Sequence, residues 1–73
     1  MDLVEFTQLM AQHLELPEVK SEDNFIMIGG DSLTALTIAG QVELATGHRV
    51  PLQAFFVADT VADLWDRLAA VDA

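Results

Sequence analysis

The chain predicts an all-α domain: a small four-helix bundle with three longer helices, a short third helix and a long loop between the first two. Three observations lead there. Apolar residues recur at three- and four-residue intervals in separate segments, the signature of helices with one buried stripe. The one strand-like run, residues 25–28, has no second run to pair with. Finally, 73 residues at 52% hydrophobic can build one compact core and no second. Residues 1–73 are therefore read as a single domain, folded and monomeric.

In the first helix, Leu3, Phe6, Leu9, Met10, His13 and Leu14 form the apolar stripe. Asp2 and Glu5 stand where carboxylates favour a helix amino terminus, and Pro17 disfavours continuation, so the helix should stop near Glu15. His13 falls on or beside the stripe, where packing is expected rather than metal binding or base chemistry. Residues 16–31 then carry Pro17, Ser21, Asp23, Asn24, Gly29 and Gly30, a density of turn formers that marks a long ordered loop. Within it Phe25, Ile26, Met27 and Ile28 should tuck the loop onto the helices. A loop of this length in a compact domain is a place to look for activity.

The second helix begins at Asp31 or Ser32, carries Leu33, Ala35, Leu36, Ile38, Ala39, Val42 and Leu44 as its apolar pattern, and ends around Thr46 and Gly47. Gly40 in its interior costs about 1 kcal/mol relative to alanine, and close packing is the expected reason. Residues 48–51 connect to a short third helix over 52–57, with Phe55 and Phe56 available to the core. Thr60 and Asp63 resemble a capping box with Asp in place of the usual Glu or Gln, and open a fourth helix. Its apolar face is Val61, Leu64, Trp65, Leu68 and Val71, with Trp65 packing and Asp63, Asp66 and Arg67 outside.

Composition excludes several kinds of chemistry. Without cysteine there is no disulfide, thiolate metal site or cysteine nucleophile, so any thiol must be brought on a cofactor. The two histidines, His13 and His48, lie too far apart for a short metal-binding spacing. Twelve acidic residues against three basic ones, a net charge of −9, argue against nucleic acid and anionic membranes as partners; they favour solubility and steering toward basic docking surfaces. No apolar stretch approaches the roughly 20 residues of a membrane span, and the acidic start is unlike a secretory signal, so a cytoplasmic location is expected.

Chemistry concentrates where the loop meets the second helix, in Gly29-Gly30-Asp31-Ser32-Leu33. Two glycines permit unusual backbone angles, and Ser32 follows on the first helical turn with its hydroxyl expected to be exposed. Unpaired N–H groups and a partial positive charge at that terminus would favour a phosphodiester on Ser32. Asp31 is placed either to cap the helix or to help a modifying enzyme. The plainer alternative is that Asp31 and Ser32 are ordinary capping residues.

Residues 25–64, FIMIGGDSLTALTIAGQVELATGHRVPLQAFFVADTVADL, resemble the phosphopantetheine-binding carrier protein family. The GGDSL run is the most specific part, followed by Gly47, Val50, Pro51 and Leu52 in the spacing Gly-x-x-Val-Pro-Leu, then the Phe55-Phe56 and Thr60-Val61 pairs. The resemblance implies a four-helix bundle of the acyl carrier protein type. It implies that a phosphopantetheinyl transferase moves a 4'-phosphopantetheine arm from coenzyme A onto Ser32, with Gly30 and Asp31 beside it in the attachment site. The arm would supply the thiol that the chain lacks and hold cargo as a thioester, and the carrier itself would catalyse nothing.

The double glycine is most like peptidyl carrier proteins, the thiolation domains of nonribosomal peptide synthesis, whose partners are adenylation, condensation and tailoring enzymes. The second helix, with Thr34, Thr37 and Gln41 and no carboxylate before Glu43, is unlike the strongly acidic one of fatty-acid carriers. An acyl carrier protein of polyketide or fatty-acid biosynthesis is the alternative. Docking should lean on apolar contacts, and Met27, Leu33, Thr34, Thr37, Phe55 and Phe56 are the candidate partner contacts, both phenylalanines being weighed against core burial and Leu33 against packing. A methionine start and an end soon after the fourth helix suggest a free-standing carrier, with an excised synthetase module as the alternative.

Two readings from other classes compete. Gly30-Asp31-Ser32-Leu33 also names the GDSL esterases and lipases, in which the serine is a nucleophile. Those enzymes resemble much longer α/β folds and need a histidine base, commonly in Asp-x-x-His, which is absent from this chain. A purely structural helical module is the other rival, and it would not need two glycines before an exposed serine.

Overall fold

The computed structural model describes residues 1–69 and contains four helices: α1 (Leu3–Leu14), α2 (Ser32–Thr46), α3 (Ala54–Val57) and α4 (Val61–Ala69). No strand occurs among the described residues, and Val71, expected on the α4 face, lies outside them.

Each helix start has a local cause. Asp2 Oδ1 accepts from the Glu5 N–H at 2.9 Å while Glu5 Oε1 accepts from the Asp2 N–H at 3.0 Å, a reciprocal box that satisfies two N–H groups the helix leaves open. At the far end Glu15 adopts a left-handed φ of 57°, unusual for a residue with a side chain, and its neighbour Leu16 donates to the Ala11 carbonyl at 2.9 Å. The stop near Glu15 is thus a backbone cap, with Pro17 following it. Gly47, at φ 80°, closes α2 in the same manner.

The start of α4 is built from two directions. Thr60 Oγ1 accepts from the Asp63 N–H, and Asp63 Oδ2 reaches back to the Asp59 N–H, one residue earlier than a standard box. The next two N–H groups are taken by the long loop: Val61 donates to the Asp23 carbonyl at 2.7 Å and Ala62 to that of Ser21 at 2.9 Å. Loop and α4 therefore share one set of hydrogen bonds.

The core is assembled from all four helices: Phe6 and Met10 of α1, Ile38 and Val42 of α2, Phe55 of α3, and Val61, Leu64 and Leu68 of α4 are fully or almost fully buried. Trp65 packs on Phe6 with ring centroids 5.1 Å apart, as expected for a packing tryptophan. Val19 and Phe25 pin the long loop into the same core. The apolar run 25–28 is a set of tight turns: Ile28 donates to the Asn24 carbonyl, Gly29 to Ile26 and Gly30 to Phe25.

Two expectations about α2 and α3 are corrected. Gly40 does not pack: it is exposed, and a Cβ placed there would meet nothing within 4 Å. The reason is register. Ala35, Ile38, Ala39 and Val42 turn inward, which sends Leu33, Leu36, Gly40 and Leu44, spaced three and four apart, to the opposite side. Phe55, a candidate partner contact, is instead 1% exposed, held edge-on against Phe25 at 5.3 Å between centroids.

Candidate functional site

Gly29 and Gly30 precede α2 for different physical reasons. Gly29 has φ 110°, a backbone region that L side chains rarely adopt. Gly30 is needed for space: a Cβ on it would lie 2.6 Å from Phe25 Cδ2 and closer still to two further ring atoms. Phe25 itself is buried against Phe55 and Phe56, so the ring has nowhere to withdraw. The loop is thereby pressed onto the core one residue before the helix cap.

Asp31 is that cap. Its backbone is extended, its Oδ1 accepts from the Thr34 N–H at 2.9 Å, and Thr34 Oγ1 accepts from the Asp31 N–H at 2.9 Å. The Thr34 N–H, then the Thr34 hydroxyl and the Leu33 N–H, outweigh partial desolvation and hold the Asp31 carboxyl below its ordinary 3.8. It is ionised at neutral pH. Thr34, a candidate partner contact, has its hydroxyl committed to the cap. Because Asp31 and Thr34 make the cap between them, Ser32, the first residue of α2, is exposed and its Oγ has no part in that box. An exposed hydroxyl on a turn fixed from both sides fits ester attachment of an arm.

The other predicted contacts differ in exposure. Met27 is 86% exposed at the loop turn, and Leu33 is exposed beside Ser32. Thr37 is exposed with its hydroxyl donating to the Leu33 carbonyl at 3.0 Å. Phe56, unlike Phe55, keeps 42% of its surface in water. The sequence reading missed Leu36, Leu44 and Val57, all well exposed, having assigned Leu36 and Leu44 to the packed pattern. The signal was available: the apolar residues of α2 fall into two stripes on opposite sides, more than one buried face can use. Among the described residues no group of three His, Cys, Asp or Glu side chains could hold a metal ion, and no helix is long and apolar enough to cross a membrane.

Residues 4–68 match the family described as phosphopantetheine attachment site. Over 61 residues, 84% of this chain, the sequence is 41% identical to malpibaldin synthetase of Mortierella alpina, and over 62 residues, 85% of the chain, 34% identical to tyrocidine synthase 3 of Brevibacillus parabrevis. The matched region is 1% of each of those two proteins. Among solved structures, BlmI, a type-II acyl-carrier-protein from Streptomyces verticillus involved in bleomycin biosynthesis, superposes with a TM-score of 0.86 over 97% of this chain and 86% of its own, at 22% identity, a likeness of fold. The capped serine after a constrained double glycine, on a helical bundle matched over most of its length, therefore places the chain in the phosphopantetheine attachment-site family: it is a carrier protein, and its cofactor is covalently attached 4'-phosphopantetheine.

Proposed function

We propose that Ser32 is the attachment residue, and that the chain is a peptidyl carrier that holds an aminoacyl, aryl or peptidyl intermediate as a thioester for enzymes of nonribosomal peptide biosynthesis. The observation that carries this is the exposed Ser32 at the first position of α2, directly after a cap made by its neighbours. A phosphopantetheinyl transferase would join Ser32 Oγ to the phosphate of the phosphopantetheine portion of coenzyme A, with loss of the hydroxyl proton and release of the nucleotide as adenosine 3',5'-bisphosphate. The arm supplies the thiol that a chain without cysteine lacks.

The residues around Ser32 hold and present; none performs a chemical step. Asp31 and Thr34 fix the first turn, Gly29 and Gly30 fix its approach, and Met27, Leu33, Thr37 and Phe56 offer contact to the transferase and to adenylation, condensation and tailoring enzymes. The helical scaffold and the family support this role over the esterase reading of Gly30-Asp31-Ser32-Leu33. The outward side of α2 supports the peptidyl over the fatty-acid type. It presents Leu33, Leu36, Thr37, Gly40 and Leu44 without a carboxylate, while Glu43 turns its Oε2 to the Val50 N–H at 3.0 Å. The protein acts in this reading as a cytoplasmic monomer, one domain over residues 1–73.

Incubation with coenzyme A, magnesium and a broad-specificity phosphopantetheinyl transferase, read by intact mass, tests the assignment. The wild type should gain one phosphopantetheine adduct and Ser32→Ala none. A folded wild type left unmodified by an active transferase overturns it. Preferential loading of the modified protein by acyl transferases over adenylating enzymes overturns the peptidyl type.

A further inference from the structure

Asn24 joins three pieces of chain through one side chain. Its Oδ1 accepts from the Met27 N–H at 3.0 Å, while its Nδ2 donates to the Asp59 carbonyl at 3.0 Å and lies 3.4 Å from that of Ala58. One end of the amide thus closes the turn that carries Met27, and the other end grips the junction between α3 and α4, more than thirty residues away in sequence. The partners dictate the chemistry. An amide N–H on one side demands an acceptor and two carbonyls on the other demand a donor, so a carboxylate of the same shape satisfies only half of the site. Beside it, Phe25 makes the corresponding apolar link, its ring 6.5 Å from that of Phe56. The backbone bonds of Val61 and Ala62 to Asp23 and Ser21 complete the junction.

The two elements tied together both present apolar surface to water: Met27 on the loop turn, Phe56 and Val57 on α3. We propose that Asn24 is a positioning residue, which sets Met27 and the exposed α3 side chains in one fixed arrangement as a contact surface for the phosphopantetheinyl transferase that modifies Ser32. This rests on Ser32 carrying the arm. Asn24 makes no contact with the partner; it acts through the placement of those side chains.

The test is the steady-state rate of phosphopantetheine transfer from coenzyme A as carrier concentration varies, for the wild type, Asn24→Asp and Asn24→Ala. It is run at a temperature where circular dichroism shows every protein fully folded. Losing the grip on the α3–α4 junction should raise the KM for carrier roughly three- to tenfold, the range that one or two net hydrogen bonds can account for, with kcat little changed. Leu14→Ala, which loosens the core from α1, should leave that KM as in wild type. Amide hydrogen exchange supplies a signature that stability alone would not move. The Met27 N–H should stay protected in Asn24→Asp, which keeps Oδ1, and lose protection in Asn24→Ala. In the wild type itself, the amides of Met27, Val61 and Ala62 should open together. Unchanged KM in both variants, with Ser32 still modified, overturns the proposal and leaves the attachment assignment standing; no modification of the wild type overturns the assignment. If neither variant folds, independent exchange of the Met27 and Val61 amides in the wild type overturns it.

Discussion

Along α1 the apolar residues and the buried residues nearly coincide: Phe6 and Met10 are enclosed, Leu3, Leu9 and Leu14 pack around them, and Val4 alone turns out to water. Along α2 they separate. Ala35, Ile38, Ala39 and Val42 go inward, while Leu33, Leu36 and Leu44, the last 83% exposed, line the other side with Gly40 between them. The inner side alone, with Ile38 and Val42 fully enclosed, supplies the burial that holds α2 to the core. The outer side has no role in packing, and in the proposed function its apolar character serves contact with partner enzymes.

The largest effect should come from the shared inner surface. Phe6→Ala is expected to cost about 3–5 kcal/mol and Ile38→Ala about 2–5 kcal/mol, as cavities in a close-packed core do. For a domain of this size, whose total stability is roughly 4–11 kcal/mol, either can approach complete unfolding, measurable by denaturant titration. Leu36→Ala, one turn away on the outer side, should change stability by no more than about 0.5 kcal/mol while raising the KM of partner enzymes. A large loss of stability from Leu36→Ala would erase the distinction between the two sides.

Gly30→Ala should cost about 1–3 kcal/mol, since the new methyl must displace a Phe25 ring that is itself enclosed. Gly40→Ala should do the opposite, with a gain of up to about 1 kcal/mol from helix propensity alone. The midpoint of thermal unfolding would rise by roughly 4–8 °C for each kcal/mol gained. Destabilisation by Gly40→Ala would restore the packing role that the open surroundings of this glycine deny.

The smallest effect is acid-dependent. Because the folded Asp31 carboxyl sits below its ordinary 3.8, the unfolded chain takes up its proton first as pH falls. The stabilisation is complete above that ordinary value and is lost as pH drops through the lowered folded one. Asp31→Asn, which keeps a capping side chain, should flatten this part of the stability profile measured by denaturation between neutral and strongly acidic pH.

Helix ends were legible where capping acts within three or four positions, in Thr60 with Asp63, Asp31 before α2 and Gly47 at a left-handed end, whereas the reciprocal Asp2–Glu5 box and the pairing of Asp31 with Thr34 came only with the folded helices. The candidate site was legible for the same reason, since GGDSL places an exposed serine on a first helical turn. The exposure of the candidate partner contacts was less so. Phe55 and Phe56 are adjacent and chemically identical, and their separation into core and surface depends on where the Phe25 ring arrives from the loop.

From its residues alone, then, this protein's four helices, some of their caps, the missing thiol and the exposed serine could be derived, because each depends on chain neighbours or on composition. Which side of α2 meets the core, why Gly30 cannot carry a side chain, and how Asn24 joins the loop to the α3–α4 junction emerged only from the folded chain. Those features are set by groups that lie far apart in sequence and meet only when the helices pack.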